Sequence, residues 1–202
     1  FTQYIPNQKL NMFLFFSTMM LYVAILYLFG ISLTTLKYLL LTPLLISVLV
    51  IDFKERIIPD RLILILFEIG MVFSIIEGFG SLNIFVYKIL GMIIGFGIFG
   101  LITLIGGLLT KKKAMGYGDV KLMAALGLIF GEIGILMIIV IAFLIAALVS
   151  IVLLVAKKKK FTEYIAFGPY ISIASFVVML SSTNGLLFVL LKIFTLGTYS
   201  LG

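Results

Sequence analysis

Only eight residues of this 202-residue chain are acidic, and two of them, Asp52 and Asp119, are placed where a carboxylate needs a reason. Asp52 directly follows the apolar run from Leu44 to Ile51, at the C-terminal end of an expected helix, where the helix dipole disfavours negative charge. Asp119 closes Met115-Gly116-Tyr117-Gly118-Asp119, between a basic stretch and an apolar helix. Taken singly, each has an ordinary reading: Asp52 as an interfacial partner of Lys54 or Arg56, Asp119 as an N-cap. Taken together they form a different unit. Two close carboxylates cannot comfortably both be charged, so they share one proton; one then works as general base on water and the other as general acid. That is aspartyl protease chemistry, and because such a dyad titrates as a unit the proton belongs to neither residue. Gly116 and Gly118 suit the same site, since a backbone without side chains can bend into it and let an extended peptide approach.

The elements that must carry these residues are membrane helices. The chain is 63% hydrophobic and only 11% charged, with a mean hydropathy of +1.35, far from the roughly 25% charged residues of a soluble domain. Apolar stretches run over residues 12–29, 36–51, 62–76, 84–109, 120–130, 133–156, 165–180 and 186–196. Six are firm spans, whereas 120–130 and 186–196 are short against the about 20 residues needed to cross a hydrocarbon core. The fold class is therefore all-α, a polytopic transmembrane bundle of six to eight spans, forming one membrane-embedded domain over residues 1–202 with no room for a soluble one. If all eight cross, Lys9, Lys54, Arg56, Arg61, the lysines at 111–113, Lys121 and those at 157–160 share one face, which is twelve of the fifteen basic residues. The opposite loops hold Lys37 and Lys88, and Lys192 lies in the last span. The positive-inside bias makes the basic face cytoplasmic and brings Asp52 and Asp119 to it, although they stand 67 positions apart.

The remaining composition narrows the chemistry. With no Cys and no His there is no disulfide, no thiol nucleophile, no Ser-His triad and no His or Cys metal site. The net charge of +7 belongs to topology and anionic headgroups, at about 1 kcal/mol per basic residue near the surface, and not to nucleic acid. Among the other acids, Glu77 and Glu132 fall at outer turns, Glu55 and Glu163 sit among basic residues, and Asp60 stands where it can cap a helix. Glu68 lies inside the third span, must find a partner, headgroup or cavity, and ranks second as a functional candidate. Gly91 with Gly95, and Gly127 with Gly131, have the spacing that lets helix backbones pack closely. The first residue is Phe1, not Met, which points to a trimmed or processed chain with something missing upstream.

Three segments carry a likeness beyond these readings. They are Ile51-Asp52-Phe53-Lys54-Glu55-Arg56-Ile57-Ile58-Pro59-Asp60-Arg61, then Gly116-Tyr117-Gly118-Asp119-Val120-Lys121-Leu122, then Ala166-Phe167-Gly168-Pro169-Tyr170. In order and spacing the chain resembles the type IV prepilin peptidases, membrane enzymes of the GxGD aspartyl protease group, over about residues 36–180. Residues 1–11 look like the tail of that family's upstream cytoplasmic loop. The resemblance implies that Asp52 and Asp119 are the catalytic pair and that the partner is a pilin-like precursor, cut after the glycine ending its short basic leader. It makes Lys121, Gly168 and Pro169 supporting or substrate-binding residues beside Gly116 and Gly118, and a buried Lys121 near two carboxylates would favour their charged forms. Proteolysis of this kind needs no metal and no cofactor. Many members also methylate the new N-terminus with S-adenosylmethionine; that cofactor is expected here only if an upstream segment is missing. The expected location is the cell membrane, multi-pass, with the site at the cytoplasmic face; the sequence assigns no oligomeric state. Two rivals remain: another GxGD protease, for which the expected Tyr-Asp and Pro-Ala-Leu elements are missing, and a cation or proton transporter, whose carboxylates belong near the bilayer midplane.

Overall fold

The computed structural model describes residues 8–110, 116–156 and 166–181, all of them helix or short connection. Six helices follow one another: α1 (Gln8–Phe29), α2 (Leu33–Glu55), α3 (Asp60–Gly78), α4 (Leu82–Thr110), α5 (Tyr117–Val155) and α6 (Gly168–Leu180). The expected all-α bundle is what forms. Among the described residues four helices are long and apolar enough to cross a membrane, α1, α2, α4 and α5. α3, with 19 residues and four charges, reaches about 28 Å, and the 13 residues of α6 about 20 Å, at 1.5 Å per residue. The stretch 186–196 lies outside the described residues, as do the lysines at 111–113 and 157–160, Lys192 and Glu163.

Local chemistry sets the boundaries. Ser32 caps α2 by accepting from the Thr35 N–H at 3.2 Å, and α2 stops at Arg56, a left-handed residue whose N–H donates to the Asp52 carbonyl at 2.9 Å. Pro59 then precedes α3, since it cannot continue a helix from the residue before it.

The expected pair of spans at 120–130 and 133–156 appears within α5, which is broken at Gly131 (φ 77°, ψ −176°). A Cβ added to Gly91 would strike both Gly127 and Gly131, and one added to Gly95 would strike Met123 and approach Ile135 at 3.2 Å. Moving forward along α4 thus meets falling numbers in one part of α5 and rising numbers in the other. The two arms, 117–130 and 132–155, therefore run in opposite directions, and Gly131 is the reversal. Beyond Lys121 the first arm is apolar all round because it is the centre of the bundle, with Leu122, Met123, Ala125 and Leu126 fully buried.

At 14 residues, about 21 Å, this arm is too short to cross alone, and its far end lies inside the protein. Its orphan carbonyls are met by side chains from outside the arm: Ser74 Oγ donates to Leu128 O at 3.0 Å, and Lys88 Nζ to Ile129 O at 2.7 Å. Lys37 and Lys88 are consequently not loop residues, as the sequence suggested. They lie within α2 and α4, paired with Glu77, Lys88 at 2.9 Å. Glu77 is likewise no bystander at a turn, since among the described residues it is the one anion between two nearly buried ammonium groups. Glu77→Gln should cost about 3–5 kcal/mol, because it leaves two buried cations facing each other. Thermal unfolding in detergent measures this, and an unshifted midpoint contradicts it.

Candidate active site

Asp52 sits in the last turn of α2, and Asp119 is the third residue of α5. Their helices end together. Both side chains are 3% exposed, both line one cavity of about 300 Å³, and they lie within electrostatic reach of each other. Arg56, Ile57, Ile58, Gly116, Tyr117 and Gly118 complete the lining.

The two carboxylates are held differently. The Gly168 N–H, at the N-terminus of α6, donates to Asp52 Oδ2 at 2.8 Å. A helix N-terminus suits an anion, and Pro169 beside it has no N–H to leave unpaired. A Cβ on Gly168 would lie 2.6 Å from Asp52 Oδ2 and 3.0 Å from its Cγ, so only glycine fits against this carboxylate. Asp119 is at the third helical position and not at the N-cap, which is Gly116; its Oδ2 accepts from the Gly116 N–H at 3.2 Å. Asp119 Oδ1 is buried with no hydrogen-bond partner among the described residues. In a cavity with a second carboxylate, that oxygen is free to bind water, a proton or a substrate group.

Other site residues change meaning. Gly118 lines the cavity, and Ile58 packs 3.2 Å from where its Cβ would be, so a side chain there would crowd Ile58. Lys121 does not enter the carboxylate pair: its Nζ bonds Asp60 Oδ1 at 2.7 Å, with both side chains more than half exposed. Asp60 caps nothing by its side chain, since it is already the first residue of α3. Exposed pairs of this type contribute about 0.2–1 kcal/mol, so Asp60→Asn should leave cleavage within about twofold of wild type. An initial-rate assay checks this, and complete loss would make Asp60 part of the chemistry. Glu68 points outward from α3, exposed and away from the cavity. The sequence offers Arg56 only as a charge partner of Asp52 and does not single out Ile58. The signal for them was Pro59, which forces the chain out of α2 and turns these residues over the site.

Two further cavities of about 520 Å³ flank the pair, one reached past Tyr117 and one past Arg56. Both are lined mainly by apolar side chains, which does not fit the polar nucleoside and amino-acid ends of S-adenosylmethionine.

Comparison with known proteins gives the arrangement a context. The profile of the type IV leader peptidase family matches residues 39–155, which include Asp52 and Asp119. A prepilin leader peptidase/N-methyltransferase of Aeromonas hydrophila is 34% identical over 146 residues, 72% of this chain and 49% of the relative. A protein of the same description from Neisseria gonorrhoeae is 34% identical over 156 residues, 77% of this chain and 52% of the relative. One from Escherichia coli (strain K12) is 35% identical over 128 residues, 63% of this chain and 55% of the relative. The chain thus spans about half the length of the curated relatives it matches. No solved structure matches it. With the profile covering more than half of its residues, this chain belongs to the type IV leader peptidase family.

Proposed function

We propose that this chain is a membrane aspartyl endopeptidase that removes the short basic leader from type IV prepilins or pilin-like precursors, cutting after the leader's final glycine at the cytoplasmic face. One observation carries the reading: two buried aspartates, 67 positions apart in the sequence, line a single cavity in a member of a leader peptidase family. Placement at helix ends favours this over a transporter, whose carboxylates belong between broken helices near the midplane.

A water held between Asp52 and Asp119 attacks the glycine carbonyl carbon. The unprotonated carboxylate takes a proton from that water as the carbon–oxygen bond forms. The protonated partner gives its proton to the amide nitrogen as the carbon–nitrogen bond breaks, releasing the leader's carboxyl end and a new amino terminus. Gly168 fixes Asp52 through its N–H, and Gly116 does the same for Asp119. No metal or cofactor is part of this reaction. Methyl transfer, which the names of the relatives include, is not assigned to these residues.

The test is incubation of the protein in liposomes with a precursor that has a short basic leader ending in Gly before an apolar helix. Mass spectrometry should find the precursor shortened by the leader alone. An intact precursor, or a cut elsewhere, would contradict the function.

A further inference from the structure

The cavity past Tyr117 is a groove on the lipid-facing side of the bundle, between α4 and the first arm of α5. Its walls include Gly97, Gly100 and Leu104 on one side and Tyr117, Val120 and Lys121 on the other. Leu104 is 60% exposed and Tyr117 64%, so in a bilayer the groove opens sideways to hydrocarbon. Lys121 lays its stem along it while its ammonium group stays with Asp60 at the rim. Tyr117 lines both this groove and the aspartate cavity, so its side chain stands between the two.

The glycines of α4 divide into two sets. Gly91 and Gly95 are needed inside the chain, where α5 backbone packs against them. Gly97 and Gly100 are not: among the described residues nothing lies within 4 Å of where their Cβ atoms would be. Each lowers helix stability by about 1 kcal/mol relative to alanine and makes no compensating close contact among the described residues. What their missing side chains supply is a channel in which another helix backbone can come close. From Phe96 to Leu104 the groove extends about 12 Å along α4, two turns of helix. It ends at Tyr117, beyond which lies the cavity of Asp119, whose buried Oδ1 has no partner among the described residues. The companion groove past Arg56, lined by Leu49, Phe53, Val149 and Leu153 among others, has no glycine in its walls.

We propose that the α4–α5 groove seats the first two turns of the substrate's own apolar membrane helix, which enters sideways from the lipid and delivers the bond just ahead of it past Tyr117 to the aspartates. This rests on the function proposed above and locates its substrate. Recognition then depends on the helix following the cut as well as on the leader preceding it.

Gly97→Leu and Gly100→Leu fill the groove. In liposomes, each should raise KM for a helix-bearing precursor about tenfold while kcat stays within about twofold of wild type. Val149→Phe, in the companion groove, should leave KM unchanged. The chain has no Cys, so a single Leu104→Cys reports contact directly. In an Asp119→Asn background it should form a disulfide with a cysteine placed in the first two turns of the precursor helix, whereas Leu153→Cys should not. An unchanged KM in both leucine variants, a cross-link from Leu153→Cys in place of Leu104→Cys, or a Leu104→Cys cross-link only between two copies of this chain would overturn the groove assignment with the peptidase function intact. If wild type cleaves no precursor, the function fails instead, and the cross-link decides the groove without it.

Discussion

Asp119→Asn and Asp52→Asn are each expected to lower precursor cleavage by about a thousandfold, within the range a positioned acid or base supplies. Each carboxyl has one task that an amide cannot perform, taking a proton from water or giving one to the leaving nitrogen. Neither change should unfold the protein. Asn keeps the shape of the side chain, can still accept the N–H from Gly168 or Gly116, and removes a carboxylate from a buried site. Initial rates in liposomes, with thermal unfolding measured beside them, separate loss of chemistry from loss of structure. Unfolding midpoints should stay within a few degrees of wild type, about what a ΔΔG of 1 kcal/mol moves in a protein of this size.

Gly168→Ala is the second change with a large expected effect, and it touches neither aspartate in sequence. The added methyl carbon would occupy a point 2.6 Å from Asp52 Oδ2, which must then move. Because Asp52 is buried, the carboxylate has little room except toward its own cavity, and its bond from the Gly168 N–H breaks. A displacement of about 1 Å at a reacting group can cost about a hundredfold in rate, and that is the expected fall in kcat. KM should change much less, because the groove proposed for the substrate helix is lined by α4 and the start of α5, whereas Gly168 belongs to α6. Wild-type kcat in Gly168→Ala would show that the hold of α6 on Asp52 plays no part in the reaction.

Much of this architecture was legible in the sequence because apolar runs in a membrane protein are long and their ends are marked. The runs at 120–130 and 133–156 could be told apart by Gly131 and Glu132, and the structure makes Gly131 the point where the chain reverses. Asp52 and Asp119 were also legible, since a carboxylate at the end of an apolar run is costly enough to be noticed. Interactions between distant segments were not. Nothing local to Gly168 says that its N–H meets a carboxylate 116 positions earlier, and nothing local to Lys37, Glu77 or Lys88 says that three helices bring them together. Charge counting assigned those lysines to loops because it scores them singly, and an ammonium group leaves water only with its partner. Lys121 is a case of the same kind: the resemblance makes it a supporting or substrate-binding residue, and nothing local to it says that its ammonium group pairs with Asp60, 61 positions earlier.

The central claim is that Asp52 and Asp119 form one catalytic unit, and the rate of precursor cleavage by the double variant Asp52→Asn/Asp119→Asn tests it most directly. Residues that act as a unit are strongly non-additive, so the double variant should be no slower than either single one. A double variant slower by the product of the two single effects would show two independent contributions, and measurable wild-type activity in either single variant would remove that aspartate from the mechanism.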